Sequence, residues 1–118
     1  MDKPKQFPSV LSAAFAVEQR TYWRPAVDVY KLHTGWLLKF DLAGVAPADV
    51  SVEVCGCRVT VTGVRRDWLV EEVDSYYSME ISYSRFERTV DLPCDFRRPR
   101  VTLDGRDGIL VVRIVEGS

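Results

Sequence analysis

From Trp23 to Ile114, apolar and polar positions alternate with a period of two, and β-branched and aromatic residues are frequent. Alternation of this kind is typical of β-strands that bury one face. Turns rich in glycine and proline divide the pattern into short runs. Strands are predicted at Val27–Tyr30, Trp36–Leu42, Val50–Val54, Arg58–Thr62, Tyr76–Ser82, Phe86–Leu92, Val101–Leu103 and Ile109–Ile114. Short strands at this spacing predict an all-β domain folded as an immunoglobulin-like sandwich.

Two connections between the predicted strands stand out. Ala46–Val50 is predicted to be a turn without a helix, because Pro47 presets the backbone angle φ and Asp49 can accept hydrogen bonds from nearby amides. Gly63–Ser75 is dominated by charged residues, which predicts a long loop that leaves the sandwich. The Tyr76–Ser82 strand that follows such a loop can pair with the edge of a neighbouring chain instead of its own sheet.

Arg88 is a charged residue on an otherwise apolar strand face. It alternates with Phe86, Val90 and Leu92, so all four side chains are predicted to point inward. A buried guanidinium without a partner would cost several kcal/mol. The pattern therefore predicts that Arg88 reaches solvent or meets a carboxylate, in this chain or in another.

Residues 1–22 differ from the rest and are predicted to form an N-terminal arm before a domain at 23–114, with 115–118 as a truncated C-terminal tail. Val10, Leu11, Ala14 and Phe15 fall on one side of a possible short helix, and an unpaired arm fits equally well. So short a helix is marginal alone, so its apolar face needs the domain, a neighbouring subunit or a client as host. Polar residues interrupt the apolar run, which disfavours an export signal or a membrane span.

The formal net charge is −1, and 28% of the residues are charged, with both signs mixed. This balance gives no reason to expect nucleic acid or stable membrane insertion. The aromatic residues have no basic stripe beside them, so packing in a core or an interface is the better interpretation. His33 is the one histidine and lies in a predicted turn without a catalytic or zinc-binding motif around it. No enzyme activity and no cofactor are predicted.

The cysteines are three in number, and two of them form the motif Cys55-Gly56-Cys57. This is a poor set for a secreted disulfide framework, and Cys94 has no evident partner, so all three are predicted to be thiols in a reducing compartment such as the cytoplasm. Cys55 and Cys57 flank a hairpin turn and could oxidise or bind a metal, but a second ligand pair is missing. A thiol-dependent enzyme remains an alternative, and no metal site is predicted.

Five segments in chain order carry a family resemblance. They are Trp23–Val29 (WRPAVDV), Phe40–Val45 (FDLAGV), the hairpin Val50–Gly63, Phe86–Pro93 (FERTVDLP) and Asp107–Val112 (DGILVV). Each is unspecific alone, but together they resemble the alpha-crystallin domain of small heat-shock proteins. The resemblance implies a stress-response chaperone that binds partly unfolded proteins and suppresses their aggregation without ATP. A CS-domain-like co-chaperone, which binds a folded chaperone partner, is the alternative, but CS domains lack the long loop and the strand after it.

The resemblance also implies a homodimer, possible larger oligomers and a set of interface residues. In the bacterial and plant members, the strand after the long loop pairs with the first strand of the partner domain. Here Tyr76–Ser82 would be the exchanged strand and Ala26–Tyr30 the receiving edge, with Arg88 near the dimer contact. The implied interface residues are Ala26, Val27, Val29, Tyr76, Tyr77, Met79, Ile81 and Arg88.

A groove between two strands of the family domain accepts an Ile-x-Ile-like tripeptide from another subunit's tail. The implied groove and client-binding residues here are Val50, Val52, Val54, Val101 and Leu103, and Leu103 replaces the usual alanine and should narrow the groove. Val112-Arg113-Ile114 has suitable residue types but belongs to the last predicted strand. Assembly beyond a dimer therefore lacks an evident anchor, and the groove is left for a client or for the arm. The implied arm contacts are Phe7, Val10, Leu11 and Phe15.

Overall fold

The computed structural model describes residues 23–68 and 71–117. Within these ranges the chain forms seven strands and a single 3₁₀ turn at Pro47–Asp49. The strands are β1 (Val27–Lys31), β2 (Gly35–Asp41), β3 (Val50–Cys55), β4 (Arg58–Val64), β5 (Arg85–Asp91), β6 (Pro99–Arg106) and β7 (Ile109–Glu116). They form a four-stranded sheet in the order β1-β2-β7-β6 and a three-stranded sheet in the order β3-β4-β5. All neighbouring strands are antiparallel.

The core lies between the two sheets. Alternate residues of a strand share one face, so the apolar alternation of the sequence gives each sheet one face to bury. Val59 and Val61 of β4 are completely buried, as are Val112 and Ile114 of β7. The buried apolar residues are Leu38, Phe40, Leu42, Val59, Val61, Phe86, Leu92, Val112 and Ile114.

Seven of the predicted strands are confirmed, with shifted ends. The largest shift is at Val101–Leu103, which is the centre of the longer β6 because pairing with β7 extends from Pro99 to Arg106. β7 itself continues to Glu116, past the predicted end at Ile114.

The prediction that Ala46–Val50 needs no helix is wrong for Pro47–Asp49, which forms one 3₁₀ turn. The Asp49 amide donates to the Ala46 carbonyl oxygen at 2.8 Å. Proline suits the first position of a helical turn, because its fixed φ is already helical and its missing N–H group would have no partner there.

The predicted strand at Tyr76–Ser82 is absent from the single chain. Between Val64 and Arg85, the described residues 65–68 and 71–84 form an excursion that joins no strand pairing. The segment makes no backbone pairing with any strand of its own chain, so the alternating pattern alone does not form a strand here.

Several predicted features lie outside the described residues. These are the arm at 1–22 with its contacts Phe7, Val10, Leu11 and Phe15, together with Leu69, Val70 and Ser118. The described ranges contain no helix that is long and apolar enough to cross a membrane.

Candidate protein-interaction surfaces

A groove opens between β3 and β6, which are edge strands of the two different sheets. Val101 and Leu103 of β6 pair with Ile114 and Val112, and directly opposite residues on antiparallel strands point to the same face. Both side chains therefore point inward, yet Leu103 is 54% exposed because none of the seven described strands covers it. The sandwich is thus left open at this edge, with apolar side chains facing the opening.

The groove has a volume of about 540 Å³. The structure brings Val50, Val52 and Leu103 together in its lining, whereas Val101 and Val54 lie outside the lining. Val54 packs against the core instead. The full lining is Leu42, Val45, Pro47, Val50, Val52, Leu103, Asp104, Gly105, Arg106, Asp107, Gly108, Ile109 and Leu110.

One end of the groove was missed by the sequence analysis. It is built by Leu42 and Val45 after β2 and by the turn between β6 and β7. The Leu42 amide donates to the Gly108 carbonyl oxygen at 2.8 Å, which holds these two turns together. The apolar residues Leu42 and Val45 in FDLAGV could have indicated part of the groove lining. Their contact with the β6–β7 turn is long-range in sequence and follows only from the folded chain.

β1 provides a second surface, because within residues 23–68 and 71–117 it pairs only with β2 and its other edge is free. Val29 and Tyr30 are each 42% exposed on this strand. Ala26 is also exposed, whereas Val27 is half-buried and packs against the core. A free strand edge with exposed apolar side chains can accept a further strand.

The excursion between β4 and β5 carries the largest set of exposed apolar side chains in the described chain. Exposed side chains of this kind, when contiguous, mark interaction sites in soluble proteins. Tyr77 is fully exposed, and Ile81 is 61% exposed. The exposed apolar residues here are Trp68, Val73, Tyr76, Tyr77, Met79, Ile81 and Tyr83.

Arg88 lies on the inner face of β5, as predicted, but it meets a carbonyl group instead of a carboxylate. Its Nη1 donates to the Pro25 carbonyl oxygen at 2.7 Å, and its buried Nε has no acceptor among the described residues. Burial of the guanidinium, followed by the nearby charge of Arg24, lowers the pKa of Arg88 from its ordinary value. The described chain leaves one buried donor of Arg88 without a partner.

The prediction of three thiols is wrong for Cys57 and Cys94, which form a disulfide, while Cys55 is free and exposed. The Leu92 amide donates to the Cys57 carbonyl oxygen at 2.9 Å, which brings the end of β5 beside the β3–β4 turn. Strand register thus places together two residues that are 37 positions apart. The described residues contain no cluster of three potential metal ligands, and His33 is an exposed turn residue.

A family model described as the Hsp20/alpha crystallin family matches residues 28–117. Spore protein SP21 of Stigmatella aurantiaca is 32% identical over 90 residues, which cover 76% of this chain and 53% of that protein. The 18.2 kDa class I heat shock protein of Medicago sativa is 29% identical over 117 residues, which cover 96% of this chain and 74% of that protein. The chain spans about half the length of the bacterial relatives it matches, from 53% to 58%.

Solved structures have the same fold. HSP18.5 from E. histolytica superposes with a TM-score of 0.69 at 27% identity, over 81% of this chain and 90% of that one. The hspA protein from Xanthomonas axonopodis superposes with a TM-score of 0.66 at 26% identity, over 81% of this chain and 96% of that one. The family model, the relatives and the solved structures agree with one another.

Proposed function

Because the chain belongs to the Hsp20/alpha-crystallin family of small heat-shock proteins, whose members are chaperones, we propose that it is an ATP-independent holdase. The observation that carries this proposal is the open apolar groove between β3 and β6. Proteins that begin to unfold expose apolar side chains and unpaired strand edges, which drive their aggregation. A groove with apolar side chains between two edge strands offers such segments both kinds of contact.

The charged residues at one end of the groove also suit this function. Asp104, Arg106 and Asp107 line it and are exposed, whereas Val50, Val52 and Leu103 supply apolar contacts. An extended client segment can place its alternate apolar side chains against the apolar part of the groove. Polar residues further along the same segment can contact the charged side chains at the end of the groove. Binding of this kind needs no nucleotide, because it depends only on competition between the groove and client self-association.

The first test is aggregation of a heat-labile client without ATP. At equimolar ratio the protein is expected to suppress the turbidity of the client. Leu103→Glu is expected to require about tenfold more chaperone for equal suppression, because a carboxylate in the groove must lose its hydration when an apolar segment binds. Thr102→Glu is the matched control, because Thr102 is exposed and neighbouring residues of a strand face opposite sides.

Two outcomes would contradict the proposal. Turbidity that the wild-type protein leaves unchanged at equimolar ratio removes the holdase function. Equal activity of Leu103→Glu and Thr102→Glu shows that clients bind elsewhere on the molecule.

We further propose a homodimer in which the excursion of one chain adds a strand at Tyr76–Ser82 to the free edge of β1 in its partner. The exposed apolar side chains of the excursion and the uncovered Val29 and Tyr30 support this arrangement. The buried Nε of Arg88 supports it too, because a partner chain can supply the missing acceptor. The excursion also favours a small heat-shock protein holdase over a CS-domain-like co-chaperone, because CS domains lack the long loop and the strand after it.

Replacing Arg88 by methionine is expected to weaken the dimer at least tenfold without destabilising the subunit. In the single chain, removal of the unpaired Nε gains about 1–3 kcal/mol, which offsets the similar cost of losing the hydrogen bond from Nη1 to the Pro25 carbonyl oxygen, and methionine fills similar space. Sedimentation over a concentration series measures the dissociation constant, and urea unfolding measures subunit stability. Arg85→Met, on the exposed side of the same strand, is the matched control. Dimers of equal strength in the two variants would exclude Arg88 from the contact.

The arm at 1–22, the domain limits at 23–114 and the tail at 115–118 remain part of the proposal. We propose that Phe7, Val10, Leu11 and Phe15 add apolar contacts to clients or to larger oligomers. Removing residues 1–22 should then reduce client binding more than the stability of the domain.

We propose the cytoplasm as the location of the protein. The exposed thiol of Cys55 fits a reducing compartment, but the disulfide between Cys57 and Cys94 does not. Alkylation of thiols in rapidly lysed cells, followed by mass measurement of the intact chain, tests the location. A chain that carries three alkyl groups is expected in a reducing compartment, and a chain that carries one indicates an oxidising compartment.

A further inference from the structure

The excursion starts and ends at the same place on the sandwich, and Arg65 lies at that place. Arg65 follows the last residue of β4, and Ser84 precedes the first residue of β5. The Arg65 amide donates to the Ser84 carbonyl oxygen at 3.0 Å, and its side-chain Nε donates to the Ser82 carbonyl oxygen at 2.8 Å. One residue therefore fastens the outgoing stem to the returning stem through both its backbone and its side chain.

The same guanidinium also reaches the body of the domain. Its Nη1 donates to the carbonyl oxygen of Ala43, in the connection after β2, at 3.2 Å. Its central carbon lies 3.7 Å from the centre of the Trp23 ring, which is a cation–π stacking contact. A planar group with several donors is needed to bond two carbonyl oxygens and stack on a ring at once.

Trp23 is itself held firmly. Its amide donates to the Ser84 hydroxyl oxygen at 3.0 Å, and its ring packs edge-on against the buried ring of Phe86 at 5.2 Å. The Arg65 side chain is therefore clamped between a fixed aromatic ring and two backbone carbonyl groups. We call the group formed by Trp23, Ala43, Arg65, Ser82 and Ser84 the root junction.

Beyond the root junction, the returning part of the excursion has little protein around it. Residues 71–83 are all exposed. Arg66 forms an ion pair with Asp49 at 3.0 Å on the outgoing stem, which ties that stem to the turn before β3. The direction in which the returning segment leaves the sandwich is thus set mainly where Arg65 holds Ser82.

We propose that Arg65 is a positioning residue that fixes the direction of the exchanged segment through the root junction. The inference rests on the proposed strand-exchange dimer. A segment that already points toward its partner loses less conformational freedom on binding, so the affinity of the dimer increases without any new contact between the chains. Arg65 contributes to the dimer in this way through its contacts with Ser82, Ala43 and Trp23 of its own chain.

The test uses the full chain with Arg65→Ala, Arg65→Lys and the control Arg66→Ala. Sedimentation over a concentration series gives the dimer dissociation constant, and native-state hydrogen exchange reports the core strands and the excursion separately. Arg65→Ala is expected to raise the dissociation constant at least tenfold and to speed exchange in the excursion, with unchanged protection in β2, β4 and β7. Arg65→Lys should resemble Arg65→Ala, because an ammonium group is not planar and cannot stack on the Trp23 ring while it donates to two carbonyl oxygens. Arg66→Ala should stay within twofold of wild type.

Each other outcome overturns the inference. A dissociation constant unchanged by Arg65→Ala shows that the root junction does not position the segment. A parallel loss of dimer affinity and of protection in the core strands shows a merely structural role. Restoration by Arg65→Lys shows that charge alone suffices. If deletion of the excursion abolishes the dimer while Arg65→Ala leaves it intact, strand exchange stands and only the role of Arg65 fails.

Discussion

Deletion of Trp68–Ser82 will convert the proposed dimer into single chains. Light scattering should show a fall in mass from twice the 13.5 kDa of the chain to slightly less than one chain. The deletion removes exposed apolar side chains such as Tyr77, Met79 and Ile81, which are the proposed contacts with β1 of the partner. A stable interface generally buries more than about 1,000 Å², and the remaining surfaces of this small domain would have to supply that area without the excursion.

The deletion is compatible with an intact domain. The Arg65 amide already bonds to the Ser84 carbonyl oxygen, so the two stems that carry the cut ends, Asp67 and Tyr83, start from neighbouring positions. Arg66, Asp67 and Tyr83 then close a short hairpin between β4 and β5, a length that hairpins commonly use. Urea unfolding should therefore remain cooperative.

A point variant provides a finer test of the same contact. Ile81→Asp places a charge on the exposed apolar segment and should weaken the dimer at least tenfold, whereas Glu80→Gln, at the neighbouring exposed position, should not. A deletion variant that keeps the wild-type mass, or equal dissociation constants for Ile81→Asp and Glu80→Gln, would rule out strand exchange through this segment.

The parts of the fold that depend on local alternation could be predicted from the sequence. The period of two places Leu38 and Phe40 of β2 on one face, and the same period does so for Val59 and Val61 of β4. To predict that these residues are buried, it is enough to identify the apolar face of each strand, and the apolar side chains identify it. The prediction of Tyr76–Ser82 as a strand fails in the single chain, because alternation of apolar and polar residues does not by itself make the backbone hydrogen bonds that define a strand.

The parts that depend on long-range contacts could not be predicted. Arg88 bonds to Pro25, 63 positions away, and the sequence pattern shows only that a partner is needed. The groove is an intermediate case. Val50 and Leu103 follow from the family resemblance, but the end formed by Leu42 and the β6–β7 turn depends on a contact between distant turns.

Loss of the disulfide between Cys57 and Cys94 will lower the free energy of unfolding by up to about 4 kcal/mol. The disulfide closes a loop over a separation of 37 residues, and it stabilises the fold chiefly by limiting the unfolded chain. The double variant Cys57→Ala/Cys94→Ala and the reduced wild-type protein should show the same loss in urea unfolding. Cys55→Ala is the control and should stay within about 0.5 kcal/mol of wild type, because an exposed surface substitution has a small effect.

The fold should survive this loss, because backbone contacts hold the same region. The Leu92 amide donates to the Cys57 carbonyl oxygen. The next residue after Cys57, Arg58, forms an ion pair with Asp91, the residue before Leu92. The Arg58–Asp91 ion pair is exposed and adds little, so the disulfide is the main covalent restraint on the start of the β5–β6 connection. That connection leads to β6, which forms one wall of the groove. If reductant and the double variant both leave the unfolding midpoint unchanged, the two sulfur atoms are not joined in solution, and a reducing location regains its original support.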